Sequence, residues 1–381
     1  MLSRRSLLGG TAAAVPLAIG LGAGTAEAAS AATPTAAPNR PSVPEILSAR
    51  RGSVGSGAAI TPELALTHLA VTGDAEVRLR TDAGWQPWRA ATCCPGGLDG
   101  SATKPARTLV PATGAVEYQV RSAGGGALDV TELNTVDGPV RATAAPAGDL
   151  SLPLADKCGH RPRYLSRAGW GADESYRYNP DGTLDTPPAF YPVQTLTVHH
   201  SGEDNPEPDP IAHIRGIYYN QAVNMDWGDI GYQLVIDEAG TVYEGTYSDP
   251  DRIPVFGPGL GSDGRPQMVN GAHVGGFNAG NVGICVLGNY MLAPPSAASL
   301  RSLTVVLALL AKATRLDPLG TTNYVNPVSG VTATIATVAG HQDWHNANPA
   351  AGATLCPGDY LYAQLPRLRQ DVAALMRKLP H

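Results

Sequence analysis

Three side chains that lie far apart in this sequence have the chemistry of a catalytic metal site. His199 ends an apolar stretch, His341 ends another, and Cys356 opens the run Cys-Pro-Gly-Asp. Two imidazoles and a thiolate are borderline-soft donors that suit zinc, and three protein ligands leave a fourth tetrahedral position for a water. Such a water can lose its proton near neutral pH and attack an amide. The sequence therefore predicts one zinc ion per chain, in a hydrolytic rather than a structural site.

A rival histidine stands near the second ligand. The apolar strand predicted at 335–338 lies immediately before His341 and fixes the direction of its side chain, whereas His345 lies in polar sequence that is typical of a loop. His341 is therefore the predicted ligand, with His345 as the alternative. By contrast, His200 follows His199 on a predicted strand, so it points to the opposite face and is expected to be structural.

The second half of the chain must position these ligands, and its patterns alternate between strands and helices. A helix is predicted where Asp209 can cap the first turn and Pro210 can occupy the first helical position. The pattern indicates an α/β domain with a mixed sheet and flanking helices. The predicted strands are 195–198, 231–237, 241–244 and 282–287, and the predicted helices are 209–219, 295–312 and 359–378, the last with a kink at Pro366.

The first 28 residues have the pattern of a twin-arginine type signal peptide. Arg4 and Arg5 precede a weakly apolar Ala/Gly-rich run, and small residues up to Ala28 suit cleavage. An uncleaved membrane anchor is the weaker alternative, because glycines and Pro16 break the run. We expect a secreted protein of the cell wall, followed after cleavage by an Ala/Pro-rich linker at 29–45.

Residues 46–140 have a β pattern, with strands predicted at 65–71, 76–80, 116–121 and 128–133. This predicts a small all-β domain, sandwich- or barrel-like, joined by a linker at 141–162 to the α/β domain at 163–381. Trp85 and Trp88 are either part of a sugar-binding surface or core and rim residues of this domain, and we favour the core position.

Charge and cysteine count limit the remaining classes. The net charge is −6, and loss of Arg4, Arg5 and Glu27 with the signal peptide would make it −7, so nucleic acid is a poor partner. Cys285 lies in an apolar strand pattern and is expected to be a small buried side chain. The remaining cysteines allow one disulfide from Cys158 to Cys93 or Cys94; a second metal site there is the weaker alternative.

Six short motifs occur in an order that resembles one family. They are Ser166-Arg-Ala-Gly-Trp-Gly-Ala172, Val198-His-His-Ser201, Trp227-Gly-Asp-Ile-Gly-Tyr232, Gly271-Ala-His-Val-Gly275, Asn281-Val-Gly-Ile-Cys285 and Cys356-Pro-Gly-Asp359. Together they resemble the peptidoglycan recognition protein and zinc-dependent N-acetylmuramoyl-L-alanine amidase family, over about residues 164–381. The resemblance implies cleavage of the amide between N-acetylmuramic acid and L-alanine of the stem peptide.

The same resemblance implies roles for individual residues. His199, His341 and Cys356 correspond to the family's zinc ligands, although Gln342 stands where the family has arginine and 15 positions separate His341 from Cys356, about twice the usual spacing. Tyr232 and Thr354 correspond to its catalytic positions, where a donor beside the metal stabilises the developing oxyanion. We expect His273 and Asn278 to be substrate-binding residues in a Gly-rich loop.

The expected partner is peptidoglycan, with no nucleic acid, no membrane after signal cleavage, and a monomeric chain. Two other functions stay open. One is a non-catalytic peptidoglycan-binding protein of the same fold, which the presence of Cys356 and Tyr232 disfavours because non-catalytic relatives typically lack the cysteine. The other is a zinc peptidase that cuts within the stem peptide.

Overall fold

A computed structural model describes residues 42–73, 75–91, 96–100, 107–122, 124–142, 150–151, 159, 161–203, 208–248 and 254–378. The predicted signal peptide, Cys93, Cys94 and Cys158 lie outside these residues. Ser42–Pro44, which falls in the predicted linker, forms a strand that pairs with Val140–Ala142. The domain boundaries given above remain predictions.

The described strands are β1 Ser42–Pro44, β2 Leu47–Val54, β3 His68–Thr72, β4 Ala75–Thr81, β5 Gly84–Trp85, β6 Arg89–Ala91, β7 Arg107–Pro111, β8 Glu117–Ser122, β9 Leu128–Asn134, β10 Val140–Ala142, β11 Leu150–Ser151, β12 Arg163–Leu165, β13 Phe190–Pro192, β14 Thr195–His200, β15 Leu234–Ile236, β16 Val242–Glu244, β17 Phe256–Leu260, β18 Pro266–Val269, β19 Asn281–Val286, β20 Thr321–Val325, β21 Thr332–Ala336 and β22 Val338–Gly340. The α-helices are α1 Arg167–Trp170, α2 Pro210–Tyr219, α3 Ala297–Thr314, α4 His341–Ala347, α5 Asp359–Tyr362 and α6 Leu365–Met376. Short 3-10 turns occupy Glu174–Arg177 and Pro349–Ala351, and a π-helical turn at Asn220–Asn224 extends α2.

The α/β part is built on a seven-stranded mixed sheet, in the order β11-β12-β16-β15-β19-β14-β22. Strands β15, β19, β14 and β22 run parallel to one another, while β16 is antiparallel to β15. Successive residues of each strand face opposite sides, so Leu234 and Ile236 pack on the side of α3 and α6, and Val235 packs on the side of α1 and α2. Strands β14, β15 and β19 are buried along their whole length because both faces of the sheet are covered. The predicted mixed-sheet α/β fold is confirmed.

Strands β2–β9 form two four-stranded antiparallel sheets. One sheet has the order β2-β9-β3-β7, and in the other β4 pairs with β5, β6 and β8. Leu69 and Val71 of β3 pack with Val77 and Tyr118 of the second sheet, while Ala70 faces α2 instead. This arrangement is sandwich-like, and the described strands form no closed barrel.

Helix α3 is the one helix in the described part of the chain that is long and apolar enough to cross a membrane. It packs against α6 and contributes Leu303, Val306 and Leu310 to the main core of the α/β part. Burial on this face accounts for its apolar composition.

Three local expectations were wrong. Trp85 is 38% exposed, and the Arg78 guanidinium lies 4.8 Å from the centres of both the Trp85 and Trp88 rings, so Trp85 is not a core residue. His345 lies in helix α4 rather than in a loop. The predicted helix at 359–378 is two helices, α5 and α6, with its proline in the first turn of α6.

Candidate metal centre

The register of two parallel strands brings the two candidate histidines together. In the pairing of β14 with β22, Val198 lies opposite Gly340, so His199 and His341 are the next residues at the carboxyl ends of neighbouring strands. Their ring centres are 4.6 Å apart. Sites of open parallel sheets commonly form at these carboxyl ends. Sequence separation is irrelevant there, because the register places the two residues side by side.

Cys356 reaches the same place through a loop that returns to the start of α4. The amide of Gln342 donates to the carbonyl of Cys356 at 2.8 Å, and the amide of His200 donates to the Sγ of Cys356 at 3.3 Å. Helix α4 and the 3-10 turn at Pro349–Ala351 take up most of the unusually long spacing between His341 and Cys356. The additional residues between His341 and Cys356 therefore form local structure, and Cys356 still lies beside the two histidines.

The donor atoms of His199, His341 and Cys356 all lie within 4.8 Å of one another. All three residues are buried, and within the described part of the chain neither ring nitrogen of His341 has a hydrogen-bond partner. Two buried polar atoms without partners are costly unless something else binds them. A metal ion fits this need, and the donor set suits zinc. His345 does not belong to the cluster.

His273 fixes which nitrogen of His199 faces the cluster. The Nε2 of His273 lies 2.9 Å from the carbonyl of Asn281, which can only accept, so this nitrogen carries the proton. The Nδ1 of a neutral His273 must then accept from the Nε2 of His199, 3.0 Å away. The remaining nitrogen of His199, Nδ1, keeps its lone pair and lies 3.7 Å from the Sγ of Cys356.

Burial keeps both of these rings neutral. It lowers the pKa of His273 from 6.5 to about 3, although the hydrogen bond to Asn281 opposes the shift. It also lowers the pKa of His199 well below 6.5, helped by the neighbouring rings of His341, His273 and His200. A neutral imidazole is the form that binds a metal ion.

The two predicted catalytic residues each contact a candidate ligand, Tyr232 beside His199 and Thr354 beside Cys356. The Tyr232 ring centre is 5.3 Å from that of His199. Thr354 is half-buried, and its hydroxyl accepts from the amide of Cys356 at 3.1 Å. Asp229 braces the segment before Tyr232, since it accepts from Arg167 at 2.9 Å and from the amide of Tyr247 at 2.9 Å. The motif that contains Arg167 therefore contacts the motif that contains Asp229 and Tyr232.

The two predicted substrate-binding residues are buried. His273 is 2% exposed and lies between His199 and Asn281, and Asn278 has no exposed surface. The Oδ1 of Asn278 accepts from the amides of His273 and Val274, at 2.8 Å each. This burial favours positioning roles for both residues over direct contact with a ligand.

Two adjoining cavities share lining residues, and the smaller one is lined by Tyr232 and His273, which contact His199. An inner cavity of about 50 Å³ is lined by Tyr232, His273 and Glu203, among others. An outer cavity of about 560 Å³ is lined in part by Tyr191 and Tyr247. Trp227 lines both.

Several residues of the site escaped sequence reasoning. Glu203 lies in polar loop sequence, yet its side chain is only about 10% exposed, and its Oε2 lies 3.2 Å from the Nε2 of His213. Asp343 accepts from the amide of Gly340 at 2.9 Å and from the Tyr362 hydroxyl, and so holds the first turn of α4, where His341 lies. Only the spacing of Asp343, three residues after Gly340, gives a signal of this cap in the sequence.

Comparison with known proteins gives the same family as the motifs. Residues 189–359 match the family model described as N-acetylmuramoyl-L-alanine amidase. Over 216 residues the chain is 29% identical to peptidoglycan recognition protein 1 of Bos taurus, covering 56% of this chain and 86% of that protein. It is 31% identical over 145 residues to N-acetylmuramoyl-L-alanine amidase of Homo sapiens, covering 37% of this chain but only 21% of the human protein.

Solved structures of similar proteins cover about half of this chain. The Drosophila peptidoglycan recognition protein SD has a TM-score of 0.37 at 22% identity, with 54% of this chain and 94% of that one covered. The amidase LysC from Clostridium intestinale has a TM-score of 0.31 at 21% identity, with 49% and 91% covered. The family resemblance drawn from the motifs is confirmed by the match of residues 189–359.

Proposed function

Because residues 189–359 match the N-acetylmuramoyl-L-alanine amidase family, we propose that this chain is a zinc-dependent peptidoglycan hydrolase. It cleaves the amide between N-acetylmuramic acid and L-alanine of the stem peptide. The observation that carries the proposal is the convergence of His199, His341 and Cys356, whose donor atoms lie within 4.8 Å of one another. A peptidoglycan-binding protein without catalysis has no chemical need for this donor set.

His199, through Nδ1, together with His341 and Cys356 would hold the ion. When bound, zinc supplies a Lewis acid that polarises a carbonyl and lowers the pKa of a water near it. The chain itself supplies the orientation of the ligands, since His273 holds the ring of His199 and the cap by Asp343 holds the turn that carries His341. A partner of this kind fixes the tautomer of a ligand and its aim.

Tyr232 and Thr354 stabilise the negative charge that develops on the carbonyl oxygen during attack. The phenol of Tyr232 can donate a hydrogen bond, and its ring lies beside His199 and lines the inner cavity. Thr354 stands two residues before Cys356, with its hydroxyl oxygen already accepting from the amide of Cys356, which leaves the hydroxyl proton to donate. Donors that are fixed before the reaction need no reorganisation as the charge appears.

The substrate and the place of action follow from the same proposal. The outer cavity of about 560 Å³ has the size of a pocket for a sugar or short peptide, which typically measures roughly 300–1000 Å³. Export to the cell wall rests on the arginine pair at Arg4 and Arg5, which lies outside the described residues. We propose that the chain acts there as a monomer on peptidoglycan.

The test compares two cysteine variants of the full chain. Cys356→Ala should lose bound zinc and all hydrolysis of purified peptidoglycan, whereas Cys285→Ala, which removes another buried cysteine outside the cluster, should keep both. Mass spectrometry of the products separates the alternatives: an amidase leaves peptides with a free L-alanine amino terminus, a peptidase cuts within the stem, and a binding protein releases nothing. Equal hydrolysis by Cys356→Ala and wild type would refute the proposal.

A further inference from the structure

The candidate ligands are out of reach of a large substrate, because His199 and His341 have no exposed surface and Cys356 is 1% exposed. The inner cavity measures about 50 Å³, whereas pockets that hold small organic ligands enclose roughly 300–1000 Å³. The outer cavity, at about 560 Å³, reaches that size. By size a wall fragment fits the outer cavity, but in this conformation it does not reach His199, which has no exposed surface.

One residue of the N-terminal region lies where the two cavities meet. Gly96 lines both, as do Trp227 and Ala272. A Cβ added to Gly96 would lie 2.8 Å from the carbonyl oxygen of Ala272 and 2.8 Å from Cη2 of the Trp227 ring. Only glycine fits this contact, so the backbone of residue 96 packs directly against Trp227 and Ala272, which line both cavities.

The residues that follow fasten this contact to the α/β part. We call residues 96–100 the cover segment. The carboxylate of Asp99 accepts from the amide of Ala279 at 2.9 Å, from the amide of Asn278 at 3.1 Å and from the side-chain amide of Asn278 at 3.0 Å. The carbonyl of Gly97 accepts from the same side-chain amide at 2.7 Å. The side-chain amide of Asn278 thus donates to the cover segment, while its Oδ1 accepts from the backbone amide of His273.

An apolar contact supports the same attachment. Leu98 packs against a small cluster of Met225, Trp227 and Ala272, which is separate from the main cores. Strand β7 closes the same side of the inner cavity, since Arg107, Thr108 and Leu109 line it. The inner cavity, which reaches Tyr232 and His273, is thus lined by the N-terminal region as well as by the α/β part.

We infer that the cover segment regulates access to this centre from the outer cavity: a muramyl peptide bound there reaches the centre when the contacts of Asp99 with Asn278 and Ala279 open. The inference rests on the proposed function, since it concerns the substrate of the same site. Within the described residues, the hydrogen bonds of Gly97 and Asp99 and the apolar contact of Leu98 attach the segment, so it can leave without unfolding the main cores.

The test weakens the attachment in the full chain and measures access directly. Asp99→Ala removes three hydrogen bonds to a charged group, and Leu98→Ala removes the apolar contact; Asp82→Ala, in an exposed turn of the same region, is the matched control. With metal removed by a chelator, we measure alkylation of Cys356 by iodoacetamide, located by peptide mass spectrometry. The thiol of Cys285, equally buried, reports global opening in the same sample.

Alkylation of Cys356 should be at least about tenfold faster in Asp99→Ala and faster in Leu98→Ala, because even one hydrogen bond to a charged group shifts an equilibrium by roughly tenfold or more. The rate at Cys285 should stay constant, and Asp82→Ala should match wild type. The kcat/KM for a soluble muramyl peptide should rise by a similar factor in the two cover-segment variants.

Each other outcome is decisive. Unchanged labelling of Cys356 in both variants overturns the inference, and so does a parallel rise at Cys285, since the segment would then be part of the general stability of the fold. Faster labelling with a lower kcat/KM means that the segment binds substrate rather than restricting it, which also overturns the inference. Faster labelling with no hydrolysis by any form of the chain supports the cover but refutes the proposed hydrolase.

Discussion

Replacing His273 with alanine should weaken zinc binding even though His273 is outside the predicted ligand set. The Nδ1 of His273 is the acceptor for the Nε2 proton of His199, at 3.0 Å, in a place with no solvent to substitute for it. A buried donor left without an acceptor costs about 1–3 kcal/mol. Loss of a partner of this kind typically reduces metal affinity or activity by roughly 10–100-fold.

The mechanism of this loss is specific to the tautomer. Without His273, nothing holds the proton of His199 on Nε2, so a fraction of the rings carry it on Nδ1, the nitrogen that faces Cys356. His273→Asn provides the rescue, because a side-chain carbonyl can accept near the position of the lost Nδ1. We expect zinc affinity to fall by about 10–100-fold in His273→Ala and to recover most of the way in His273→Asn.

The assay is competition for zinc against a chromophoric chelator, with the His199 tautomer followed by long-range proton–nitrogen NMR of histidine-labelled protein. Thermal unfolding is measured alongside, because the His273 ring packs on Gly283, where an added Cβ would lie 2.5 Å from the imidazole, and removing the ring leaves a hole there. A zinc affinity in His273→Ala within twofold of wild type would refute the reasoning. Equal losses in the alanine and asparagine variants would show that packing, and not the tautomer, was responsible.

Three further predictions concern single side chains. Tyr232→Phe should lose about 100- to 1000-fold in kcat while keeping zinc, because it removes one donor to the developing oxyanion; near wild-type digestion of peptidoglycan would contradict this role. His341→Ala should lose zinc and His345→Ala should keep it, as metal analysis of the two purified variants would establish. Burial and the nearby His213 lower the pKa of His68 well below 6.5. Below about pH 6.5 the unfolded chain therefore binds a proton that the folded chain does not, and the free energy of unfolding decreases as the pH falls. In His68→Gln this fall should be shallower by up to about 1.4 kcal/mol per pH unit in urea unfolding between pH 7.5 and 5.5, and equal slopes would contradict the assignment.

The sequence was sufficient to predict the elements that carry the candidate ligands. The strand before His199, the helix capped by Asp209 and the strand 282–287 all appear close to their predicted bounds. Each has a strong local signal: an apolar run of strand length, or an N-cap followed by proline. The choice of His341 over His345 also followed from a local argument, the strand immediately before it, and the donor geometry agrees with that choice.

Contacts between distant segments had no such signal. Nothing near His273 in the sequence indicates that its ring reaches His199, because the contact depends on the parallel pairing of β14 with β19, which sets the turn before Asn281 beside β14. The burial of Glu203 had no local signal either, because a charge in a polar loop is usually solvated and its neighbour His213 lies on a helix ten positions later. The long spacing before Cys356 was visible, but only the folded α4 explains why it is harmless.

The N-terminal region shares a hydrophobic core with the α/β part. Ala70, Leu109 and Leu133 of its first sheet share a core with Ile214 and Ile217 of α2, so one face of that helix would be exposed to water without the sheet. Buried polar groups cross the same boundary: the Nε2 of His68 lies 3.0 Å from the Nδ1 of His213, and Arg215 donates to the carbonyl of Thr135 at 2.5 Å. Partners of this kind are costly to separate, because each leaves a buried polar group unpaired. The sheets of the N-terminal region are thus fixed to α2, and the Glu203–His213 contact joins α2 to the loop that follows His199. Opening of the cover segment must therefore be a movement of residues 96–100 themselves and not of the sheets.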